Sequence, residues 1–193
     1  DDFFAAMTDA NSVDLSQLRS WYSQAGTPIL EIDGCYNETA QEFRLTVRQS
    51  CPDTPGQSAK QPFLIPLQVG LLAQDGSDLP LQLNGEVKSQ GYSRTLKVTQ
   101  TEQLFTFINV PVAPVPSLLR DFSAPVKVRY PYQRNELAFL FANDSDTFNR
   151  WEAGQRLATD VILEMVEQLK AKRAAKVPED FLAAFRVALQ DNA

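Results

Sequence analysis

The chain has 193 residues, a formal net charge of −6 and no histidine. Because imidazole is missing, the sequence excludes Ser-His-Asp and Cys-His catalysis and every zinc site with a histidine ligand. The acidic balance argues against nucleic acid as a partner, since nucleic acid calls for a basic face, and no apolar run approaches the ~20 residues of a membrane-spanning helix.

The first 27 residues carry a helical pattern. The opening FFAAM has the composition of a helix interior, so we expect the chain to begin inside a longer protein. Leu15, Leu18 and Tyr22 follow at spacings of three and four, which places them on one face of a second helix. Asp14 precedes this face and can cap the helix start.

The stretch SWYSQAGTP, residues 20–28, predicts the point where helix gives way to sheet. Gly26 suits the left-handed position after a helix end, and Pro28 biases the residue before it toward extended geometry. We expect Trp21 and Tyr22 to pack helix against sheet at this junction. Ordinary amphipathic packing of the two rings is an equally good explanation.

Residues 28–131 predict an Ig-like sandwich of two β-sheets. EFRLTVRQ alternates strictly between apolar and polar residues, the pattern of a strand with one buried face. Short strands with turns between them and no intervening helices favour two packed sheets. Six more segments complete roughly seven strands: PILEIDGCY, FLIPLQVGLL, LPLQL, RTLKVTQ, QLFTFIN and VKVRY. Pro66 cannot donate to a ladder, which places it at an edge or bulge, and NVPVAPVPSLL indicates an extended crossover.

The two cysteines, Cys35 and Cys51, are predicted to be free thiols. A hairpin of residues 28–36 and 41–50 turning at NETA pairs Cys35 near Glu42. Cys51 then lies at the far end, roughly 30 Å away at the rise of a strand, whereas a disulfide requires Cα atoms within about 7 Å. Free thiols fit a reducing compartment, and we expect a cytoplasmic protein.

Residues 132–193 predict the start of an α-helical domain. ELAFLFAND is helical, capping residues at 144–147 introduce a long amphipathic helix, and Pro178 starts another. Two helices are too few to cover these apolar faces, so we expect the domain to continue. The long helix presents Phe148, Trp151, Leu157, Val161, Ile162, Met165, Val166 and Leu169. The last helix presents Phe181, Leu182, Phe185 and Leu189.

Four segments, in order along the chain, resemble the bacterial aminopeptidase N family of gluzincin zinc metallopeptidases. LRSWYSQAGTPILEI resembles the end of the catalytic domain, and KQPFLIPLQVGL and PVPSLLRDFSAPVKV resemble its β-sandwich domain. FNRWEAGQRLATD resembles the opening of its C-terminal helical domain. The resemblance implies that residues 1–27 end a catalytic domain, 28–131 form a sandwich linker and 132–193 begin the helical domain.

The resemblance implies no catalytic, substrate-binding or metal-binding residue in this chain. In the family, zinc is held by His-Glu-x-x-His and a downstream Glu, and a Gly-x-Met-Glu-Asn segment reads the substrate's amino terminus; neither motif is present. We therefore expect a structural linker whose parent enzyme holds zinc and removes N-terminal residues from peptides. Its expected partners are the catalytic and helical domains of the same protein, with no membrane partner. Interdomain packing is expected at Trp21, Tyr22, Trp151, Phe181 and Phe185.

Two other functions remain open from the residues alone. A free-standing sandwich could bind peptide or carbohydrate, because such folds often carry recognition loops. Its stacking surfaces would be Tyr36, Tyr92, Tyr130 and Tyr132. The 24 acidic residues also allow a hydrolase built on a carboxylate pair. A linker should instead expose apolar rings where neighbouring domains pack, namely Phe3, Phe4, Phe181 and Phe185.

Overall fold

Seven β-strands form the centre of the computed structural model, which describes residues 2–12 and 14–190. They are β1 Ile29–Asn37, β2 Glu42–Ser50, β3 Ile65–Leu72, β4 Arg94–Val98, β5 Glu102–Phe107, β6 Val115–Leu118 and β7 Lys127–Arg129. One sheet has the order β5-β2-β1-β7 and the other β4-β3-β6. Neighbouring strands are antiparallel except β1 and β7, which run parallel. The predicted two-sheet sandwich is therefore confirmed.

Five α-helices flank the sandwich within the described residues. They are α1 Asp2–Asn11, α2 Ser20–Ser23, α3 Arg134–Asn143, α4 Thr147–Lys170 and α5 Glu179–Gln190. The helix predicted after Asp14 forms as a 3₁₀ turn, Ser16–Arg19, that continues into α2. Asp14 Oδ1 accepts the Ser16 N–H at 2.8 Å, but Leu15 and not Asp14 is the N-cap residue of this turn, and no side chain caps it. None of the described helices is long and apolar enough to cross a membrane.

The core lies between the two sheets and follows the alternation of the sequence. Phe43, Leu45 and Val47 of β2 are buried, as the alternating pattern predicts. Burying each such side chain stabilises the fold by about 1.5–3 kcal/mol. The opposite sheet contributes Ile65, Leu67, Val69, Leu96 and Val98 to the same core.

Two strand predictions were wrong, for one physical reason. LPLQL, residues 79–83, is not a strand: Leu79 and Leu81 are buried, but Leu81 N donates to Gly91 O in a loop. Conversely, the expected crossover contains β6, which pairs with β3 from Val69 to Leu72. Strand formation depends on a neighbour that can accept and donate along the ladder, and apolar composition does not reveal that neighbour.

The β1–β2 hairpin forms as predicted, but its register is shifted by two residues. Its register joins Asn37 to Glu42, so Cys35 lies opposite Arg44 and not near Glu42. Cys35 and Cys51 are nevertheless both free thiols, as predicted. Pro66 pairs with β4 in the half of β3 that β6 does not reach, so the edge prediction holds for that half of the strand.

A second, smaller core joins the sandwich to the helices. Leu72 of β3 and Val115 of β6 pack with buried residues of α3 and α4. These helical residues are Leu137, Leu140, Ala153 and Leu157. Helices α3 and α4 approach closely at Gly154, where a Cβ would lie 2.8 Å from the ring of Phe141. The helices are thus packed against one end of the sandwich.

Candidate functional site: the junction between sandwich and helices

Trp21 and Tyr22, the first two residues expected at interdomain contacts, occupy different environments. Trp21 Nε1 donates to Leu64 O at 2.8 Å, and its ring centroid lies 4.9 Å from that of Phe63. Trp21 therefore packs the N-terminal helical segment on the sandwich. Tyr22, its neighbour, is 77% exposed.

The remaining expected rings belong to the helical part of the chain. Phe181 and Phe185 of α5 are stacked with centroids 6.0 Å apart, and Phe185 lies 6.1 Å from Phe141 of α3. These contacts hold α5 against α3. Trp151 is 56% exposed on α4, with its centroid 6.0 Å from that of Phe148. Phe3 is exposed on α1, whereas the side chain of Phe4 lies outside the described part of the chain.

Arg120 is the polar centre of the junction, although no local sequence pattern distinguishes it. Its side chain is only 3% exposed. Nε donates to Ser117 Oγ at 2.9 Å, and one terminal nitrogen donates to Ser93 Oγ at 2.9 Å. The other terminal nitrogen lies 2.6 Å from Asp78 Oδ1 and 3.4 Å from Asp144 Oδ1. The guanidinium thus links β6, two sandwich loops and the segment between α3 and α4.

The backbone around Arg120 is bent to bury this side chain. Leu119, Asp121 and Phe122 adopt left-handed φ values of 64°, 55° and 48°. Such conformations are unfavourable for residues with a Cβ and persist only where surrounding contacts hold them. Gly70 makes room beneath, because a Cβ there would overlap the guanidinium of Arg120. The buried position of the Arg120 side chain therefore requires glycine at position 70 of β3.

Two aspartates connect this bend to helix α4. Asp146 Oδ1 accepts the Asn149 N–H at 2.8 Å and so caps α4, while its Oδ2 accepts the Asp121 N–H at 2.9 Å. Asp144 Oδ1 accepts the Asp146 N–H at 3.0 Å. The same capping carboxylate therefore holds both the helix start and the strained loop.

Ser117 and Asn149 add a buried hydrogen bond across the junction. Asn149 Nδ2 donates to Ser117 Oγ at 2.8 Å, joining α4 to β6. The Ser117 hydroxyl also hydrogen-bonds the Asp144 side chain. Buried polar groups specify one arrangement when they are satisfied, because any shift leaves them unpaired. The network consequently fixes how α4 sits on the sandwich.

Burial raises the pKa of three groups at the junction. Desolvation raises the pKa of the Asp144 carboxyl above its usual value, and hydrogen bonds from Asp146 and Ser117 and the charge of Arg120 oppose that rise. Desolvation also raises the pKa of Tyr130 to about 12. The pKa of Tyr132 is raised for the same reason.

The tyrosines considered for ligand stacking largely serve the fold. Tyr132 Oη donates to Pro116 O at 2.6 Å, and Tyr36 Oη donates to Val110 O at 2.9 Å. The guanidinium of Arg156 lies 5.3 Å above the Tyr132 ring and donates to Tyr130 O at 3.3 Å. Tyr92 is the exposed member of the set. The four rings therefore do not form one stacking surface.

The part of the chain that the structure describes offers no cluster of zinc ligands. Structural and catalytic zinc sites use at least three His, Cys, Asp or Glu ligands. Within residues 2–12 and 14–190 there is no group of three or more such residues that could hold a metal. No step of a metal-dependent reaction can be assigned to these residues.

Two family models cover the chain in the order of its structural parts. Residues 26–131 match a domain of unknown function, DUF3458, with an Ig-like fold. This chain belongs to the DUF3458 family. Residues 134–193 match its C-terminal partner, DUF3458_C, described as ARM repeats. The DUF3458 sandwich followed by a helical segment agrees with the fold class predicted from the sequence.

The DUF3458 chain is homologous to a region of aminopeptidase N. It is 41% identical to aminopeptidase N of Escherichia coli over 192 residues, which is 100% of this chain and 22% of that protein. Identity to aminopeptidase N of Haemophilus influenzae is 40% over 189 residues, 98% of this chain and 21% of that protein. The chain thus spans about a fifth of these relatives. The resemblance noted from its motifs is confirmed.

A solved structure shares the arrangement of the DUF3458 chain. It is Legionella pneumophila aminopeptidase A in complex with aspartic acid, 27% identical, with a TM-score of 0.78. The match covers 99% of this chain and 20% of that protein. Sandwich and helices therefore recur together in an aminopeptidase.

Proposed function

We propose that this chain is a non-catalytic linker of a longer zinc-dependent aminopeptidase that removes N-terminal residues from peptides. The observation that carries the proposal is the match of the entire chain to about a fifth of aminopeptidase N, in a sequence without histidine. The zinc and the groups that act on the peptide bond would lie in the rest of the longer protein. The free thiols Cys35 and Cys51 support a cytoplasmic location.

The linker would act by holding its neighbours at a fixed angle. A close-packed sandwich resists compression, and the Arg120 network ties it to the start of α4. Bending at the junction would separate the guanidinium from the buried Asp144 carboxylate. The orientation of the helical domain would therefore depend on this network. That orientation would in turn control the access of peptides to the catalytic domain.

The proposed partners are the neighbouring domains of the same protein. Large apolar side chains are exposed on the helices, and a helical repeat buries such faces against the next repeat. The exposed residues include Ile162, Leu163, Leu169, Phe185 and Leu189. We infer that further helices of the longer protein cover this face, and that the catalytic domain contacts the N-terminal segment beside Trp21.

The purified chain tests the non-catalytic part of the proposal. With an aminoacyl nitroanilide reporter and added zinc, we expect neither hydrolysis nor stoichiometric metal by elemental analysis. Turnover that survives a chelator would instead support a carboxylate hydrolase. One tightly held zinc per chain would place metal chemistry within these residues.

The longer protein tests the linker role. Arg120→Lys removes the planar guanidinium group but keeps the positive charge. Arg129→Lys is a matched control, because Arg129 pairs with Glu31 at the surface. We expect Arg120→Lys to change kcat/KM several-fold with zinc content unchanged, and the control to behave as the parent. Identical kinetics for both variants would contradict an orienting role.

A further inference from the structure

The exposed loop that follows Leu83 contains an asparagine directly before a glycine, Asn84–Gly85. These two residues form the middle of a tight turn, which Glu86 N closes by donating to Leu83 O at 3.0 Å. Gly85 has a φ of 92°, and no described atom beyond its chain neighbours lies within 4 Å of the place where a Cβ would stand. The peptide unit between the two residues therefore lies in open space.

The asparagine side chain and the following backbone nitrogen are both available for reaction. Within the part of the chain that the structure describes, neither the Asn84 carboxamide nor the Gly85 N–H forms a hydrogen bond. Asn84 is instead held through its own backbone N–H, which donates to Thr106 O at 2.8 Å. Because glycine rotates freely about its backbone bonds, Gly85 N can approach Asn84 Cγ by a local opening of the turn, without loss of a sheet ladder.

The chemistry of these two groups needs only water as a co-reactant. Gly85 N gives up its proton to a base and attacks Asn84 Cγ, so that an N–Cγ bond forms. The Cγ–Nδ2 bond then breaks, and the side-chain nitrogen leaves as ammonia. Water opens the resulting succinimide at either carbonyl: cleavage of the N–Cγ bond gives aspartate, and cleavage of the original peptide bond gives isoaspartate.

A second pair that ends in glycine, Asp33–Gly34, is held inside the sandwich. Both residues belong to β1, where the ladder pairs Gly34 with Leu45 of β2. A Cβ at Gly34 would lie 2.8 Å from the ring of Phe43, so the backbone is closely surrounded. Rotation of this peptide unit would break the ladder, and the same attack is therefore blocked.

A third pair, Asp75–Gly76, lies in a turn whose reacting groups are already engaged. Asp75 Oδ1 accepts from the Ser77 N–H at 2.9 Å and from the Ser77 hydroxyl at 2.6 Å. Gly76 N donates to Ala73 O at 2.9 Å. The nitrogen that would attack is thus turned away from the side chain. Of the three pairs, Asn84–Gly85 alone combines a free side chain with a free nitrogen in the described structure.

We propose that Asn84 is a site of spontaneous modification, at which the folded protein converts asparagine to aspartate and isoaspartate through a succinimide. The product places a new carboxylate in the same turn as Glu86, whose side chain accepts from the Leu83 N–H at 3.0 Å and from Arg94. Isoaspartate also lengthens the main chain within the turn, which breaks the bond from Glu86 N to Leu83 O. The proposal is independent of the proposed function, because both reacting groups lie within this chain.

The modified loop is attached at both ends to the junction. Asp78, at its start, and Ser93, at its end, each accept a hydrogen bond from the Arg120 guanidinium. Loosening of the turn therefore affects a segment that contributes two of the partners of Arg120.

Peptide mapping by mass spectrometry of the folded chain, incubated at mildly alkaline pH, tests the proposal. We expect a steady loss of the Asn84 amide and the growth of aspartate and isoaspartate forms of the same peptide. An isoaspartyl methyltransferase should label the isoaspartate form. The rate should rise with pH, since the attacking nitrogen must lose its proton. Asn84→Gln should remove both products, because the longer side chain closes the ring far less readily.

Two variants place the same dipeptide in the two protected environments and serve as matched controls. They are Asp33→Asn and Asp75→Asn, the second of which keeps Oδ1 as an acceptor for Ser77. In the folded variants, positions 33 and 75 should lose their amides at least about tenfold more slowly than Asn84, which requires only a modest rise in the barrier. In urea all three positions should react at similar rates, because the chain no longer holds any of them.

Three results would overturn the proposal. The first is an Asn84 amide that stays intact in the folded chain while the same position reacts in urea. The second is an equal rate at positions 33 and 84 in the folded Asp33→Asn variant. The third is a set of products already complete before incubation, which would come from the digestion. If Asp33→Asn does not fold, Asp75→Asn and the comparison with urea still decide.

Discussion

Replacing Arg120 by alanine should destabilise this protein more than any substitution of an exposed charge. The change removes the guanidinium from between two carboxylates, one of them the fully buried Asp144. It also leaves Ser117 Oγ and Ser93 Oγ without this donor. The left-handed residues Leu119, Asp121 and Phe122 also lose the neighbouring side chain that anchors them.

The magnitude follows from the burial of the two partners. Removing one member of a buried ion pair costs about 3–5 kcal/mol, because the remaining charge stays buried without compensation. A protein of this size loses about 2–4 °C of melting temperature per kcal/mol. We therefore expect the melting temperature to fall by roughly 6–20 °C in Arg120→Ala. The corresponding loss of free energy is a large part of the total stability that is usual for a folded protein.

Urea unfolding at neutral pH, followed by tryptophan fluorescence, measures this loss. Arg129→Ala is the matched control, since Arg129 and Glu31 form an ion pair with side chains 64% and 52% exposed. Exposed pairs contribute about 0–1 kcal/mol. A loss below about 1 kcal/mol for Arg120→Ala, or one equal to the control, would refute the view that the network holds the junction.

Gly70→Ala gives an independent check on the same geometry. The added Cβ would overlap the Arg120 guanidinium and displace it from its partners. In the Arg120→Ala background this collision is absent, so the second substitution should cost much less. Coupling between contacting residues is typically about 0.5–3 kcal/mol, and strict additivity would contradict the packing described here.

Three further predictions concern other parts of the fold. Tyr130, with its pKa raised to about 12, stabilises the fold below its ordinary pKa of 10, and this contribution is lost as the pH rises toward 12. Tyr130→Phe should therefore reduce the alkaline fall in the free energy of unfolding by about 1 kcal/mol after discounting for partial exposure; an unchanged pH profile would argue against it. Trp21→Phe removes the hydrogen bond to Leu64 O and should lower the free energy of unfolding by about 1 kcal/mol, with Tyr92→Phe at an exposed position as the comparison. Ile162→Ser and Leu189→Ser should reduce binding of a hydrophobic dye to the exposed helical face, and low dye binding by the unmodified chain would count against that face as a docking surface.

Local pattern was sufficient for much of the architecture. The alternation of Phe43, Leu45 and Val47 predicted a half-buried strand, because side chains of a strand point to opposite faces in turn. Capping residues before Thr147 predicted the start of α4, where Asp146 accepts from the backbone. The missing histidine excluded whole classes of chemistry from composition alone.

What local pattern could not identify is the network at the junction. Arg120 lies in the run PVPSLLRDFSAPV, where one arginine among apolar residues was the available signal of burial. Its partners Asp78 and Asp144 are 42 and 24 residues away in sequence, so no local period relates them. Their meeting depends on the bend at residues 119–122 and on the space left by Gly70.

The sequence by itself determined that a sandwich precedes helices, that the cysteines stay apart and that imidazole chemistry is absent. Tertiary structure decided that residues 115–118, and not 79–83, complete the second sheet, because a strand needs a partner along its edge. It also decided that a single buried guanidinium joins sandwich to helix. Hydrophobic periodicity and helix capping act over a few residues. The desolvation that gives the Arg120–Asp144 pair its influence on stability exists only once the chain has packed around both side chains.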